Sequence, residues 1–463
     1  MTTTPDPTSL RMPAGFSWGV ATSAHQIEGA VAVDGRAPSI WDTFSHTPGK
    51  VDRGENADVS CDHYHRFRDD IALMAQLGVD TYRFSLSWSR LLPEDDKTVN
   101  PLGATFYRSV CEELVEHGIR PVVCLFHWDL PQRLQDQGGW ANPESSQWFA
   151  EYATRAKETL ADLATTWMTL NEPYCAAFLG HHSGVHAPGV TDAGTAYLAA
   201  HNMLLAHHRA AAVLRSTEPN PDDEVTIALN LIPATGATDS AADTAAAAKA
   251  DMVQNQLFLD GVLQGRYPDQ IREHHHTFGV ADQIDTDELA AIAQPIDWLA
   301  VNYYNVTHVA HQDGAPSLLG FPGATETIGV EPPPPRTEMG WGIEPQGLDR
   351  VLRRVGAAYR DLPIVISENG GAFPDVVQHD GSIDDQDRIA YLHDHLQVVA
   401  AASRDGIDVV GYHVWSLLDN FEWALGFSKR FGIVRVDFDT LERTPKASAR
   451  WYAQVIAANR SQS

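Results

Sequence analysis

Thr169-Leu170-Asn171-Glu172-Pro173 and Ile364-Val365-Ile366-Ser367-Glu368-Asn369-Gly370 each place a glutamate at the end of an apolar run. Both runs carry β-branched residues and stop at a Pro or Gly signal, the pattern of a buried strand entering a turn. Pro173 biases the residue before it away from the helical region, and Asn369-Gly370-Gly371 is a turn signal. Almost two hundred residues separate the two glutamates, so only the fold can bring them together. In a parallel barrel the strand C-termini share one rim, where such barrels carry their reacting groups.

Outward from these two segments, similar apolar runs recur: Phe16 to Ala21, Val79 to Trp88, Pro121 to Trp128, Val225 to Leu231, Ile296 to Tyr304 and Val409 to Leu417. With Trp167 to Leu170 and Ile364 to Glu368 they make eight candidate strands. Amphipathic or Ala-rich stretches lie between them, such as Asp69 to Leu77, Thr105 to His117, Trp148 to Leu163 and Tyr197 to Leu214. Strand–helix alternation points to a parallel sheet with helical crossovers, and eight units close a (β/α)8 TIM barrel. A doubly wound open sheet is the alternative. The expected organisation is an α/β chain with one barrel domain over residues 13–460, extended βα loops and a disordered tail over residues 1–12. Pro332 to Pro335 reads as a loop above the barrel. Ala237 to Ala250 reads as opening a helix near Asp243 or Thr244.

The 463 residues carry a formal charge of −28, which disfavours nucleic acid and anionic membranes as partners. The 43% hydrophobic content is ordinary for a globular protein. No apolar stretch is long enough to span a membrane. Met1 to Pro13 lacks a basic region followed by an apolar one, so a cytoplasmic protein is expected. Cys61, Cys111, Cys124 and Cys175 show no Cys-x-x-Cys spacing and are expected to be reduced packing residues.

Two carboxyl groups facing one sugar are what glycosidic bond cleavage requires, one to donate a proton and one to act as nucleophile or base. Taken alone, either glutamate also fits a solvated or salt-bridged residue. The chain, however, resembles glycoside hydrolase family one, the β-glucosidase family, over nearly its whole length. Phe16-Ser17-Trp18-Gly19-Val20-Ala21-Thr22-Ser23-Ala24-His25-Gln26-Ile27-Glu28-Gly29 is similar to that family's N-terminal signature. Tyr82-Arg83-Phe84-Ser85, His127-Trp128-Asp129-Leu130-Pro131, Asn171-Glu172-Pro173, Asn302-Tyr303-Tyr304, Glu368-Asn369-Gly370 and Trp415-Ser416-Leu417-Leu418-Asp419-Asn420-Phe421-Glu422-Trp423 follow in the family's order.

The resemblance implies a retaining β-glucosidase without cofactor or metal, with Glu172 as acid/base and Glu368 as nucleophile. Arg83 would support Glu368, and Tyr304 would orient it; a buried structural role is the alternative for Arg83. Gln26, His127, Trp128, Asn171, Asn302 and Glu422 would contact the glycone, with Asn171 at the 2-hydroxyl. Trp415 would lie under the ring, Trp423 near the 3- and 4-hydroxyls and Phe431 near carbon six. Asn230 and Trp341 would line the leaving-group side. Glu422-Trp423 stands where phosphosugar-hydrolysing relatives carry smaller and basic residues, so a non-phosphorylated glycone is expected, with galactosides and fucosides admitted beside glucosides. The implied partner is a small β-glycoside or oligosaccharide, with cellulose degradation as a setting; oligomeric state stays open. A transglycosylase and a non-catalytic sugar-binding barrel are the competing readings.

Ser367, Tyr174 and Cys124 depart from the family's more usual Thr, Trp and Thr. His63 with His65, His181-His182 with His186, and His274-His275-His276 lack the spacing of a zinc helix. His186-Ala187-Pro188-Gly189 is read as a structural loop.

Overall fold

The computed structural model describes residues 4–461. Eight parallel strands close into a barrel: β1 (Ser17–Ala21), β2 (Thr81–Ser85), β3 (Arg120–Phe126), β4 (Thr166–Asn171), β5 (Glu224–Asn230), β6 (Leu299–Asn302), β7 (Ile364–Asn369) and β8 (Val409–Trp415). Each strand pairs with its neighbours in sequence, and β1 closes the ring against β8. All eight lie within or across the apolar runs read from the sequence, and the open-sheet alternative is excluded. The crossover helices include His63–Leu77, Pro101–Glu116, Ser145–Leu160, Ala193–Ser216, Pro345–Ala358 and Gln386–Arg404, with Ala447–Arg460 after β8.

Two apolar layers hold this arrangement. Val122, Cys124, Met168, Ala228, Ala300 and Val365 fill the barrel interior together with the larger Trp298. A much larger cluster lies between the outer strand faces and the helices, including Trp167, Ile366, Leu204 and Leu396. Close approach inside the barrel demands glycine at Gly19, where an added Cβ would lie 2.3 Å from the His413 ring.

Strand irregularity positions the rim. On β7, Val365 faces the interior with Met168, and so does Glu368, whose partner Arg83 also contacts Met168 Sδ. Residues three apart face opposite sides of a regular strand. The pairing of β7 with β6 shifts between Ile366 and Glu368, which restores Glu368 to the inside. On β4, Met168 and Asn171 both face inward, and its pairing with β5 shifts between them.

Several expectations are corrected. Residues 4–12, read as part of a tail, pack on the barrel: Leu10 is buried, Trp451 Nε1 donates to Pro5 O at 2.9 Å, and Met12 N donates to Asn459 Oδ1 at 3.0 Å. Residues 1–3 of that tail lie outside the described residues. The Ala-rich stretch opens a helix as expected, Ala241–Asp251 with Asp243 in its first turn, and the cap is Ser240, whose Oγ accepts from Asp243 N. Ala234–Gly236, Thr307–His311 and Thr327–Gly329 form a small sheet above the barrel that was not foreseen. Pro332 to Pro335 is a loop, as expected.

Candidate active site

A cavity of about 300 Å³ opens at the C-terminal rim, within the range of small-ligand sites. Glu172, Glu368, Tyr304, His127, Trp128, Asn230, Trp341, Trp415, Glu422, Trp423 and Phe431 line it. Arg83, Gln26, Asn171 and Asn302 stand behind the wall, each fully buried.

The two carboxyl groups have different surroundings. Glu368 is ion-paired through Oε1 to Arg83 Nη1, and its Oε2 accepts from Tyr304 OH at 2.5 Å. Among the described residues Glu172 has no cationic partner; Asn302 Nδ2 donates to its Oε1 at 2.6 Å, and Cys175 Sγ donates to Oε2 at 3.2 Å. Burial raises the pKa of both groups. For Glu368 the Arg83 charge and the bond from Tyr304 oppose burial. For Glu172 the negative charge of Glu368 adds to burial, and it is pushed up to about 8. Of the two, Glu172 therefore keeps its proton and Glu368 gives its proton up.

Behind them runs a directional hydrogen-bond chain. Ser367 Oγ donates to Asn302 Oδ1 at 2.6 Å, and Asn302 Nδ2 donates to Asn171 Oδ1 at 2.9 Å. Arg83 Nη2 also donates to Asn171 Oδ1. Two donors on one oxygen fix the Asn171 amide, so its Nδ2 faces His127 Nε2, 3.0 Å away. Burial holds His127 far below the usual imidazole range, so the ring is neutral. With Nε2 accepting, its proton sits on Nδ1, which has no partner among the described residues.

The aromatic wall is held in unusual backbone. Trp128, Glu172 and Trp423 have φ of +77°, +47° and +52°, a left-handed conformation that costs a non-glycine residue about 1–2 kcal/mol. Trp423 and Trp128 pack with centroids 4.6 Å apart, and the His127 ring lies nearly parallel to Trp415 at 5.6 Å and to Trp423 at 5.8 Å. Glu422 Oε2 is buried without a partner among the described residues; burial, then the charges of Glu368 and Glu172, push this carboxyl up to about 8. No Lys or Arg lines the cavity among the described residues.

The family model "Glycosyl hydrolase family 1" matches residues 8–461. The chain belongs to glycosyl hydrolase family 1. Beta-glucosidase A of Acetivibrio thermocellus is 44% identical over 450 residues, covering 97% of this chain and 99% of that protein. A bifunctional β-D-glucosidase/β-D-fucosidase of Bifidobacterium breve is 42% identical over 464 residues, covering 97% and 99%. The solved GH1 β-glucosidase from Exiguobacterium antarcticum B7 superposes with a TM-score of 0.93 at 43% identity, covering 98% of this chain and 99% of that one. The chain is thus a glycoside hydrolase of the β-glucosidase type.

Within this family 1 barrel some residues sit differently from expectation. Gln26 is turned away from the cavity: its Nε2 donates to Asn420 Oδ1 at 3.0 Å and Phe421 O at 2.9 Å, and Oε1 accepts from Ser23 Oγ. His186, read as structural, lines the cavity and packs on Trp128 at 5.1 Å. Cys175, read as packing, borders the cavity and touches Glu172; it and the other three cysteines are free and buried. Their signal was position alone: Cys175 follows Glu172 by three residues and opens a wide π-helical segment, Cys175–Ser183. The three departures are absorbed locally. Ser367 keeps the hydroxyl that Asn302 accepts from, Tyr174 OH donates to Gly320 O at 3.1 Å, and Cys124 Sγ donates to Phe126 O. Of the remaining histidines, His63 pairs with Asp70 at 2.8 Å, His181 contacts Ala176 O, and His274 contacts the Tyr197 hydroxyl.

Proposed function

We propose that Glu368 is the nucleophile and Glu172 the acid/base of a double displacement on terminal β-D-glycosides. The carrying observation is the asymmetry of the pair: Arg83 and Tyr304 hold Glu368, and no cation holds Glu172. Glu368 attacks the anomeric carbon while Glu172 protonates the departing glycosidic oxygen. The product is a glycosyl ester of Glu368 and a free aglycone. Esterification removes the charge of Glu368, so Glu172 loses a repulsion that raised its pKa. It then accepts a proton from water, whose oxygen attacks the anomeric carbon and releases Glu368.

His127 Nδ1, Glu422 and the Trp415 and Trp423 rings would hold the glycone, with Phe431 at carbon six. Trp128 closes the wall beside Trp423, and Asn230 and Trp341 take the leaving-group side. Asn302 and Gln26 spend both amide hydrogens on protein and would have to exchange a bond to donate to a sugar hydroxyl, whereas Asn171 Nδ2 has a second hydrogen beyond the one facing His127. A phosphorylated glycone is disfavoured because the lining supplies carboxyl groups and no cation to pair a phosphate dianion. The Thermotoga maritima family 1 β-glucosidase in complex with isofagomine lactam (TM-score 0.91, 43% identity, covering 97% of this chain and 99% of that one) supports a glucose-shaped glycone. The Bifidobacterium breve relative supports fucosides as well. Small glucosides derived from cellulose fit this range. Residues 13–460 would act as one catalytic unit. Four free buried cysteines support a reducing, cytoplasmic compartment.

Azide rescue tests the roles. In Glu172→Ala, azide should attack the accumulated Glu368 ester and yield β-glucosyl azide, because no proton transfer is needed. An α-glucosyl azide, or rescue of Glu368→Ala to a β-azide, would reverse or remove the assignment.

A further inference from the structure

Near the Phe431 wall of the cavity lies a charge cluster that the chemistry above does not use. Asp419, Asp375 and Asp385 face Lys446, Arg388 and Arg430, three charges against three. The Arg430 side chain is 25% exposed, whereas the other five are at most 1% exposed. Lys446 Nζ lies 2.8 Å from Asp419 Oδ1 and also pairs with Asp375. Arg430 Nη1 lies 2.7 Å from Asp419 Oδ2. Arg388 pairs with Asp385 and lies 3.1 Å from Asp375. Burying ions costs desolvation, and apolar packing holds an element in place at least as well. Such a cluster contributes direction, because each charged group demands a partner at a defined place.

Asp385 takes its spare bonds from Ser448 N and Oγ, at 2.8 and 2.6 Å, whereas those of Asp419 and Arg388 go to one segment. Gly432 N donates to Asp419 Oδ1 at 3.0 Å, and Arg388 Nη2 donates to Arg430 O at 2.8 Å. These are the peptide groups on the two sides of Phe431. The same segment is tied again where Asp419 N donates to Val434 O, Arg430 Nη1 donates to Val436 O, and Ile433 N donates to Ser416 O. Contact is close enough that a Cβ on Gly432 would lie 2.1 Å from Asp419 N. The Phe431 ring is buried and lies against Trp341 and Tyr304, with centroids 6.1 and 6.2 Å away. Tyr304 in turn holds Glu368.

We propose that Asp419 is a positioning residue for the glycone pocket: with Lys446, Arg388 and Arg430 it clamps the peptide groups flanking Phe431 and fixes the wall at the sugar's carbon six. The inference rests on the reading of Phe431 as that wall. Substitution of Asp419 therefore acts through Phe431, and it discriminates between sugars that reach the wall and sugars that do not.

The experiment compares kcat/KM on 4-nitrophenyl β-D-glucoside and on the β-D-xyloside, which lacks carbon six. Asp419→Asn should lower the glucoside value about tenfold more than the xyloside value, and Phe431→Ala should do the same. In the double variant the selective loss should not add, because both changes remove one interaction. Arg430→Gln, at the exposed edge of the cluster, should show a smaller selective loss, roughly threefold, and carries the test if Asp419→Asn does not fold. Equal losses on both sugars, or selective losses that add in the double variant, would overturn the inference. A selective loss in Phe431→Ala alone would remove the role of Asp419 and leave the glycone reading standing. A wild-type enzyme inactive on both glycosides would remove that reading and the inference with it.

Discussion

At Glu172 and Glu368, side chains of one type are separated by their neighbours alone. The proposed mechanism needs Glu368 ionised, so activity should fall as pH drops through its raised pKa. It also needs Glu172 protonated, so activity should fall as pH rises through about 8. A bell-shaped kcat/KM profile follows, with apparent values that belong to the pair. Glu172→Gln should lower kcat/KM by about 10²–10⁴ for alkyl glucosides and far less for dinitrophenyl glucosides, whose aglycones leave without a proton. Its profile should lose the alkaline limb. Cys175 donates to Glu172 and lowers its pKa, so Cys175→Ala should move the alkaline limb to higher pH in the same assay. A limb unmoved by both substitutions would assign it to another group. Both glutamates were legible in sequence as strand-end carboxylates, and the roles proposed for them come from family resemblance. The Cys175 contact was not, because a cysteine in an apolar segment looks the same whether it packs or donates.

At the level of elements, the strand endings aim the carboxylates. The apolar runs located all eight barrel strands, since hydrophobic pattern and turn residues register burial and chain reversal. They do not register a skipped pairing: Ile364 to Glu368 reads as an uninterrupted strand, yet its register shifts after Ile366. A strictly alternating strand would turn Glu368 out of the barrel. Just beyond the strand, Gly370 approaches the end of β8 so closely that an added Cβ would lie 1.7 Å from Trp415 O. Backbone cannot yield as a side chain tip does. Gly370→Ala should therefore destabilise the protein by about 1–3 kcal/mol and lower kcat out of proportion to its effect on KM, as Glu368 and Trp415 move together. Thermal unfolding and steady-state kinetics on one preparation check both. The small sheet above the barrel and the packing of residues 4–12 were invisible for another reason. Two three-residue strands, the half-buried Thr307–His311 and a single 3-10 turn carry too little apolar pattern to read.

Over the whole molecule, protonation and net charge set the working range. His25, His181, His186, His201 and His395 are held near 4 by burial. Their folded pKa values lie below the unfolded value near ~6.5, so the unfolded chain gains protons first as pH falls. Stability should drop from about pH 6.5 towards 4. The raised Glu172 and Glu422 act oppositely, losing stability as pH rises from about 4.3 to 8, but they are fewer than the buried histidines. A Tm that rises on acidification from pH 6.5 to 4.5 would contradict this balance. With a net charge of −28, self-repulsion should be relieved by salt, so Tm should rise from low to physiological ionic strength at pH 7. The overall charge was readable from composition, whereas the burial that shifts each histidine depends on the closed barrel and its helices.

The central claim, that Glu368 is the nucleophile of a retaining β-glucosidase, is tested most directly with a 2-deoxy-2-fluoro-β-glucoside carrying a good leaving group. Fluorine slows both displacements, and the reactive leaving group lets the ester accumulate for peptide mapping by mass spectrometry. The structure predicts stoichiometric inactivation with the sugar on the peptide that carries Glu368. A sugar on Glu172, or no adduct with both the glucosyl and the galactosyl reagent, would contradict it.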